Sequence, residues 1–561
     1  FGEIMMFVKI TPRKKGDKTY YYAELVESYR ENGKTKHKRL LYFGSVDKQT
    51  AERLKIAFSK DFDSFTNIDK VDFNQSVPYG HFYLLEAINK QIKLFDSLEA
   101  SFESSDPHIT VSTAIEYIKA LVFQRIWQPN SKLALKEEYP YTALPHFLKI
   151  KSLDLQTLYR SLEVLEENFS KAEEHLYHSA VKHYQQNNKE LFYDITSSYF
   201  EGHKCIIAKY GYSRDHRKDR EQIVIGLVTT ADGFPIKCNI YSGNTADKST
   251  VTEVISDLKQ RYPIEEIVFV GDRGMLTENN IETIKELNQK YVMAIPRAWT
   301  KKYLKDESID ENKMRKVKEN LYAKFLSEED GQRFLLCLNT QKREDDRNYR
   351  LQCIKSIEKE LDQLNGSLGK NKHIKTRDEA MKRAGAISKR NPAGKYFIIE
   401  TVDNRKAPLG FSLKYSLKTE KVASDEKLDG TFVIQTNEDQ YNDEKLIKVY
   451  KNLNKVETAF RVIKQDLDIR PMFHWKEERV KGHVYVCVLA LFILQAIDYI
   501  ASQSSLNQSA RTIIQKLARI HLLEIKLPNG KIKYSITSID NEQKEILKAY
   551  KINKLEIPDV V

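Results

Sequence analysis

The chain has 561 residues, 41% of them hydrophobic, which is enough to bury a core in several domains and excludes an extended or disordered protein. Lys and Arg number 91 against 79 Asp and Glu, a formal charge of +12 that favours a polyanionic partner. The five cysteines form no CxxC pair and no metal-ligand spacing, so neither a disulfide framework nor a zinc site is suggested and a reducing, cytoplasmic setting is expected.

The first forty residues carry ten Lys or Arg and five acidic residues. Alternating runs at 18–29 and 36–43 flank an Asn32-Gly33 turn, which predicts a basic β-hairpin within a region of about 1–75. From 76 to 187 the spacing turns helical, as in Leu155, Leu158, Leu162 and Leu165, and predicts a helical domain for DNA binding or dimerisation.

Between 188 and 300 short β-branched and aromatic runs at 191–199, 222–230, 236–241, 266–270 and 291–295 alternate with amphipathic stretches at 249–261 and 279–289. The order is βββαβαβ, an α/β domain. Residues 301–440 interrupt it with mixed sequence and predict an insertion domain. Its basic stretch 366–395 holds nine Lys or Arg and two acidic residues, readable as a loop over DNA or as a solvated linker. A helical pattern returns at 442–467. A long apolar helix follows at about 479–500, too interrupted by Gln495 and Asp498 for a bilayer span, and no membrane partner is expected. The segment 441–505 thus returns to the core, and 506–561 predicts a C-terminal helical region with a helix at 509–522.

Three carboxylates stand out. Asp194 interrupts the apolar run LFYDITSSYFEG, where an ionised group is costly unless cations or donors meet it; the alternative is a turn-capping Asp. Asp272 follows four apolar residues in IVFVGDRGM, at the strand end where open α/β sheets bind ligands, or serves as a simple turn Asp. Glu457 shares a helical face with Tyr450, Arg461 and Lys464 at separations of seven, four and three, a pattern that also fits a solvated ion-pair ladder. A strand–strand–helix carboxylate triad has a use: two Mg²⁺ ions held by it can stabilise the attacking and leaving oxygens of a phosphodiester.

Four blocks carry a resemblance. They are LFYDITSSYFEG; GYSRDHRKDREQIVIGLVTTADGFPIKCNIYSGNTADKSTV; IVFVGDRGMLTENNIETI; and Tyr450 through KVETAFRVIKQDLDIRPMFHWKEERVKGHVYVCVLAL. With weaker similarity in the hairpin and in RIWQPNSKLAL, the chain resembles the DDE transposases of bacterial insertion sequences. That family implies an RNase H-like catalytic core interrupted by a β-rich insertion. It places Asp194, Asp272 and Glu457 on the catalytic, metal-holding triad, with two Mg²⁺ ions for which Mn²⁺ substitutes. Of the branch's tyrosine-arginine-glutamate-lysine signature, Tyr450, Glu457 and Lys464 match, whereas Leu453 occupies the arginine position, so Arg461, Lys451 or Lys455 would have to replace it. Tyr450, Arg461 and Lys464 are the expected DNA contacts. The resemblance further implies binding of double-stranded DNA at terminal inverted repeats and target, a homodimer on DNA, and a bacterial cytoplasmic enzyme that cleaves and joins strands. The competing readings are an inactive binder of DNA ends and an RNase H-like nuclease without joining activity.

Overall fold

The computed structural model describes the chain except residues 1–4, 17, 32–33, 59–71, 187–188, 247–248, 263–266, 273–276, 297–298, 301–308, 310, 371–373, 528–529 and 559–561. In chain order the strands are β1 (Met5–Lys15), β2 (Lys18–Glu31), β3 (Lys34–Val46), β4 (Asp72–Pro78), β5 (Glu190–Tyr199), β6 (Gln222–Thr229), β7 (Pro235–Ser242), β8 (Val268–Gly271) and β9 (Lys290–Ala294). They continue with β10 (Arg315–Lys318), β11 (Leu321–Glu329), β12 (Gln332–Asn339), β13 (Phe397–Asp403), β14 (Phe411–Leu417), β15 (Thr431–Thr436), β16 (His521–Lys526) and β17 (Ile532–Ile536).

The chain divides into two compact units: residues 1–80, 517–541 and 554–561 form one, and 81–516 with 542–553 the other. In the first, β1, β2 and β3 make an antiparallel sheet, one strand more than the predicted hairpin. Pro12 lies in β1, an edge strand, where its missing N–H costs no central ladder bond. The predicted Asn32-Gly33 turn lies outside the described residues. A second antiparallel sheet, in the order β17-β16-β4, joins the two ends of the chain. This corrects the expected helix 509–522, which stops at Leu517: the segment after it pairs with β4, 445 residues away at Ser76 and His521, and non-local pairing overrides the helical spacing.

The second unit is built on a nine-stranded sheet in the order β10-β11-β12-β15-β9-β8-β5-β6-β7. β5, β8 and β9 run parallel, β6 is antiparallel to β5, and β7 is antiparallel to β6. Helices Val251–Arg261 and Glu278–Glu286 make the crossovers into β8 and β9, so the order βββαβαβ is observed. β6 is buried along its whole length, as its unbroken apolar run requires.

The region 301–440, expected as an insertion domain, supplies both strands and helices. Its strands β10, β11, β12 and β15 continue the same sheet through β15 against β9. The basic stretch is largely helical: Arg377–Arg390 starts at a capping box between Thr376 and Glu379 and buries Ala380 and Ala384. It packs with Ile357, Leu361, Phe411 and Leu413 in a core of its own, so its basic residues decorate a helix rather than a loop.

The helical segment supplies Gly80–Ile92, Leu94–Ser101, Val111–Trp127, Lys132–Glu138, Leu155–Glu167 and Phe169–Tyr184. The apolar helix Glu477–Gln503 passes among them against Val111–Trp127 and Leu155–Glu167. It is long and apolar enough to cross a bilayer, yet 72% of its most apolar window is buried inside the fold, which makes it a core helix. A Cβ at Gly482 would stand 2.2 Å from the Leu162 carbonyl oxygen, so this helix approaches backbone to backbone. Gly482→Ala should therefore lower stability by about 1–3 kcal/mol, the usual cost of overpacking a tight core, read as a lower melting temperature. An unchanged melt would mean that the two helices are free to separate.

Candidate active site

Asp194 sits in the middle of β5, half-buried, paired with Leu227 of β6. β5 and β8 run parallel with Phe192 opposite Val270, and Asp194 and Asp272 each lie two residues further along. The two residues therefore stand level on adjacent parallel strands at the carboxyl end of β8, just past which Asp272 is exposed, while β5 runs on to Tyr199. Arg273 and Gly274, which follow in IVFVGDRGM, lie outside the described residues.

Glu457 stands on the helix Asn454–Arg461, which buries Val456, Ala459 and Phe460 and packs across β5 and β6. The chain after it is tied back to β5: the Met472 N–H donates to the Tyr199 carbonyl at 3.0 Å, and the Glu201 N–H to the Met472 carbonyl at 2.9 Å. The exposed Glu457 carboxylate is thereby held on the sheet side that carries Asp194.

Two of the three groups, Asp194 and Glu457, register the charge of their neighbours. Burial, joined by the nearby Asp272 and Glu457, pushes the Asp194 carboxyl up to about 7, against the lowering influence of Arg214 and of the Ile195 N–H bonded to its Oδ1 at 2.8 Å. Glu457 is raised from the ordinary glutamate value by burial and by Asp272. Among the described residues no three His, Cys, Asp or Glu are gathered tightly enough to hold a metal ion, so the carboxylates are close enough to repel without converging on one point.

This arrangement lies within residues 185–493, which match the family described as transposase DDE domain. Residues 8–63 match the IS1634 family transposase N-terminal domain. The chain belongs to the DDE transposases. It is also similar to a cryo-EM structure of a piggyBac transposase synaptic complex with hairpin DNA, at 10% identity and a TM-score of 0.36, over 79% of this chain and 80% of that one. No curated protein matches the sequence.

Around the carboxylates of this transposase, the structure departs from the single helical face expected for Tyr450, Glu457, Arg461 and Lys464. Helix Asp443–Lys451 ends before Leu453, a new helix begins at Asn454, and Val462–Asp466 forms a π-turn whose Leu467 N–H reaches the Val462 carbonyl. The break and the wider turn change the angular step, so spacing alone misplaces the ends of the stripe. Tyr450 stacks on Phe432 at 5.6 Å, half-buried. Leu453, at the signature arginine position, is buried at 6% exposure, which suits its apolar side chain. Arg461 is exposed and makes no ion pair with Glu457 among the described residues, so the ion-pair ladder that the spacing also fits is not formed there.

Lys464 is not the free cation the helix face implied. Its Nζ bonds Asp215 Oδ1 at 2.7 Å, and Arg470 binds the same oxygen. The Asp215 side chain is 2% exposed and that of Lys464 13%, and burial draws the lysine below its ordinary value. Asp215 and its neighbour Arg214 belong to the loop GYSRDHRKDRE, a segment of the resemblance to which the sequence alone assigns no role. The Arg214 N–H donates to Ser197 Oγ of β5 at 3.0 Å, and its charge is felt by both Asp194 and Lys464. A run of alternating cations and anions between two buried strands was the available signal.

Proposed function

We infer that this transposase binds the terminal inverted repeats of an insertion sequence, cleaves the strands and joins them to a target, with Asp194, Asp272 and Glu457 as its catalytic carboxylates. The observation that carries the reading is proximity: Asp194 and Asp272 stand level on adjacent parallel strands, and Asp194 is raised by burial and by the charges of both Asp272 and Glu457. The strand order β7-β6-β5-β8-β9 supports an RNase H-like core.

Carboxylate oxygens are the donors that a pair of hard divalent cations, Mg²⁺ with Mn²⁺ as substitute, would take, because such ions need only a few of them and complete their shells with water and substrate phosphate; the three would have to draw closer than they stand here to share such ions. When bound, they would neutralise charge on the attacking and leaving oxygens of the phosphodiester. The protein's own contribution is positional. Asp194 and Asp272 are fixed by strand register, and Glu457 by the helix packed across β5 and β6. Arg214, Arg461 and Lys464 provide cations toward the flanking phosphates, and Tyr450 a half-buried aromatic edge.

The deciding experiment incubates the full chain with a labelled duplex from the DNA flanking its gene, with Mg²⁺ and an unlabelled target. Metal-dependent cutting followed by joining is expected. Cutting without joining would make the chain a nuclease, and binding without cutting an inactive end-binding protein. The dimer expected on DNA would appear as two chains per pair of ends. Deleting residues 1–60 should weaken end binding and flatten the slope of log affinity against log salt by about 0.9 for each phosphate that is no longer neutralised. An unchanged slope would assign that region to protein contacts.

A further inference from the structure

The two faces of the β1–β3 sheet differ. Residues paired across antiparallel strands share a face, so Arg13 and Tyr20, Thr11 and Tyr22, Lys9 and Glu24, Glu24 and Tyr42, and Val26 and Arg39 all lie on one side. Val8 and Ala23 belong to the other. Both are buried, and the helix Lys48–Ala57, with Ala51 buried, packs against β1 and β2 there.

The side away from the helix carries exposed, mostly basic residues around one buried apolar residue, Val26 at 2% exposure. Tyr20 is 40% exposed, Tyr42 51% and the Arg39 side chain 63%. The Arg13 guanidinium lies over the Tyr22 ring at 5.5 Å and that of Arg39 over Tyr42 at 5.6 Å, with Glu24 3.8 Å from Arg39. Stacking limits the rotamers of a guanidinium while leaving its donor edge free, which is what two-point hydrogen bonding needs.

We propose that this open face is the sequence-reading surface for duplex DNA, with the two tyrosine-stacked arginines, Arg13 and Arg39, as its base-contacting residues. Charge complementarity names the partner, since Lys9, Arg13, Arg30 and Arg39 face one acidic residue, Glu24. Geometry names the mode: a twisted β-ribbon enters the major groove, and a fixed guanidinium fork matches the O6 and N7 acceptors of guanine. Lysine carries the same charge but not the fork. The proposal rests on the reading of the chain as a binder of DNA ends.

Arginine-to-lysine substitution separates base reading from phosphate attraction. The probes are 40-bp duplexes tiled across the DNA flanking the gene, each with a shuffled duplex of the same composition, bound by the full chain at fixed salt. Wild type should prefer one or more tiles over their shuffles. The double variant Arg13→Lys/Arg39→Lys should lose that preference by roughly 10-fold or more, while its affinity for shuffled DNA, its salt slope and its melting temperature stay unchanged. Tyr42→Leu, which frees Arg39 without altering charge, should lose part of the preference. A double variant that keeps the full preference overturns the proposal. So does an equal fall on tiled and shuffled DNA, which would make the arginines phosphate contacts. A wild-type chain that prefers no tile overturns the end-binding reading itself.

Discussion

Asp194→Asn, Asp272→Asn and Glu457→Gln should each lower metal-dependent cleavage by about a thousandfold or more, equivalent to about 4 kcal/mol of transition-state stabilisation. Each change preserves side-chain size and removes one anionic oxygen from the cluster that would neutralise two divalent cations. Asp194→Asn should also do something a merely structural substitution would not. A carboxyl held near 7 when folded and near 3.8 when unfolded binds its proton more tightly in the native state. Between those values the metal-free protein therefore loses stability as pH rises, and Asn removes that loss. At pH 7.5 without metal the variant should melt higher than wild type. Mg²⁺ should raise the wild-type melt and leave the variant nearly unmoved. Full cleavage by any of the three variants would remove that residue from the triad, and a lower metal-free melt for Asp194→Asn would mean that its carboxylate is stabilised by groups other than a metal.

Much of the core was legible because its signals are local. Asp194 and Asp272 stand out as charges at the edge of apolar runs that can only be buried strands, and the alternation from β5 to β9 follows the short runs between them. Glu457 was legible as helical. The break at Leu453 and the π-turn were not, because a shift of one residue leaves apolar spacing almost intact. β11 shows a different limit: LYAKFLSEE alternates imperfectly, and its place in the sheet is set by β12, then by β15 pairing with β9, contacts that no local window contains. The same holds for β16 and β4 at opposite ends of the chain. The Asp215–Lys464 pair spans 249 residues. A charged loop and a basic helix face each read as solvated, and only the fold brings them together.

That pair decides what Lys464 does. Breaking a fully buried ion pair by removing one partner costs ~3–5 kcal/mol, because the other charge is left without compensation. Here Arg470 still serves Asp215 and Lys464 keeps some exposure, so Lys464→Ala should cost about 1–3 kcal/mol in stability. Asp215→Asn should cost a similar amount, since it leaves Lys464 and Arg470 together near Arg214. The two losses should not add: a coupling of about 1 kcal/mol or more is expected for groups in direct contact. Cleavage should fall in both single variants, by about tenfold or more, for different reasons. Lys464→Ala removes the cation offered to DNA, and Asp215→Asn loosens its position. The double variant Asp215→Asn/Lys464→Met separates these effects, because it replaces the pair with neutral groups of similar length and should recover part of the melting temperature, Arg470 alone being left without its anion. If cleavage stays low while stability returns, the ammonium acts on the DNA. If cleavage returns with stability, Lys464 and Asp215 together form a structural tie between the β5–β6 loop and the helix of Glu457.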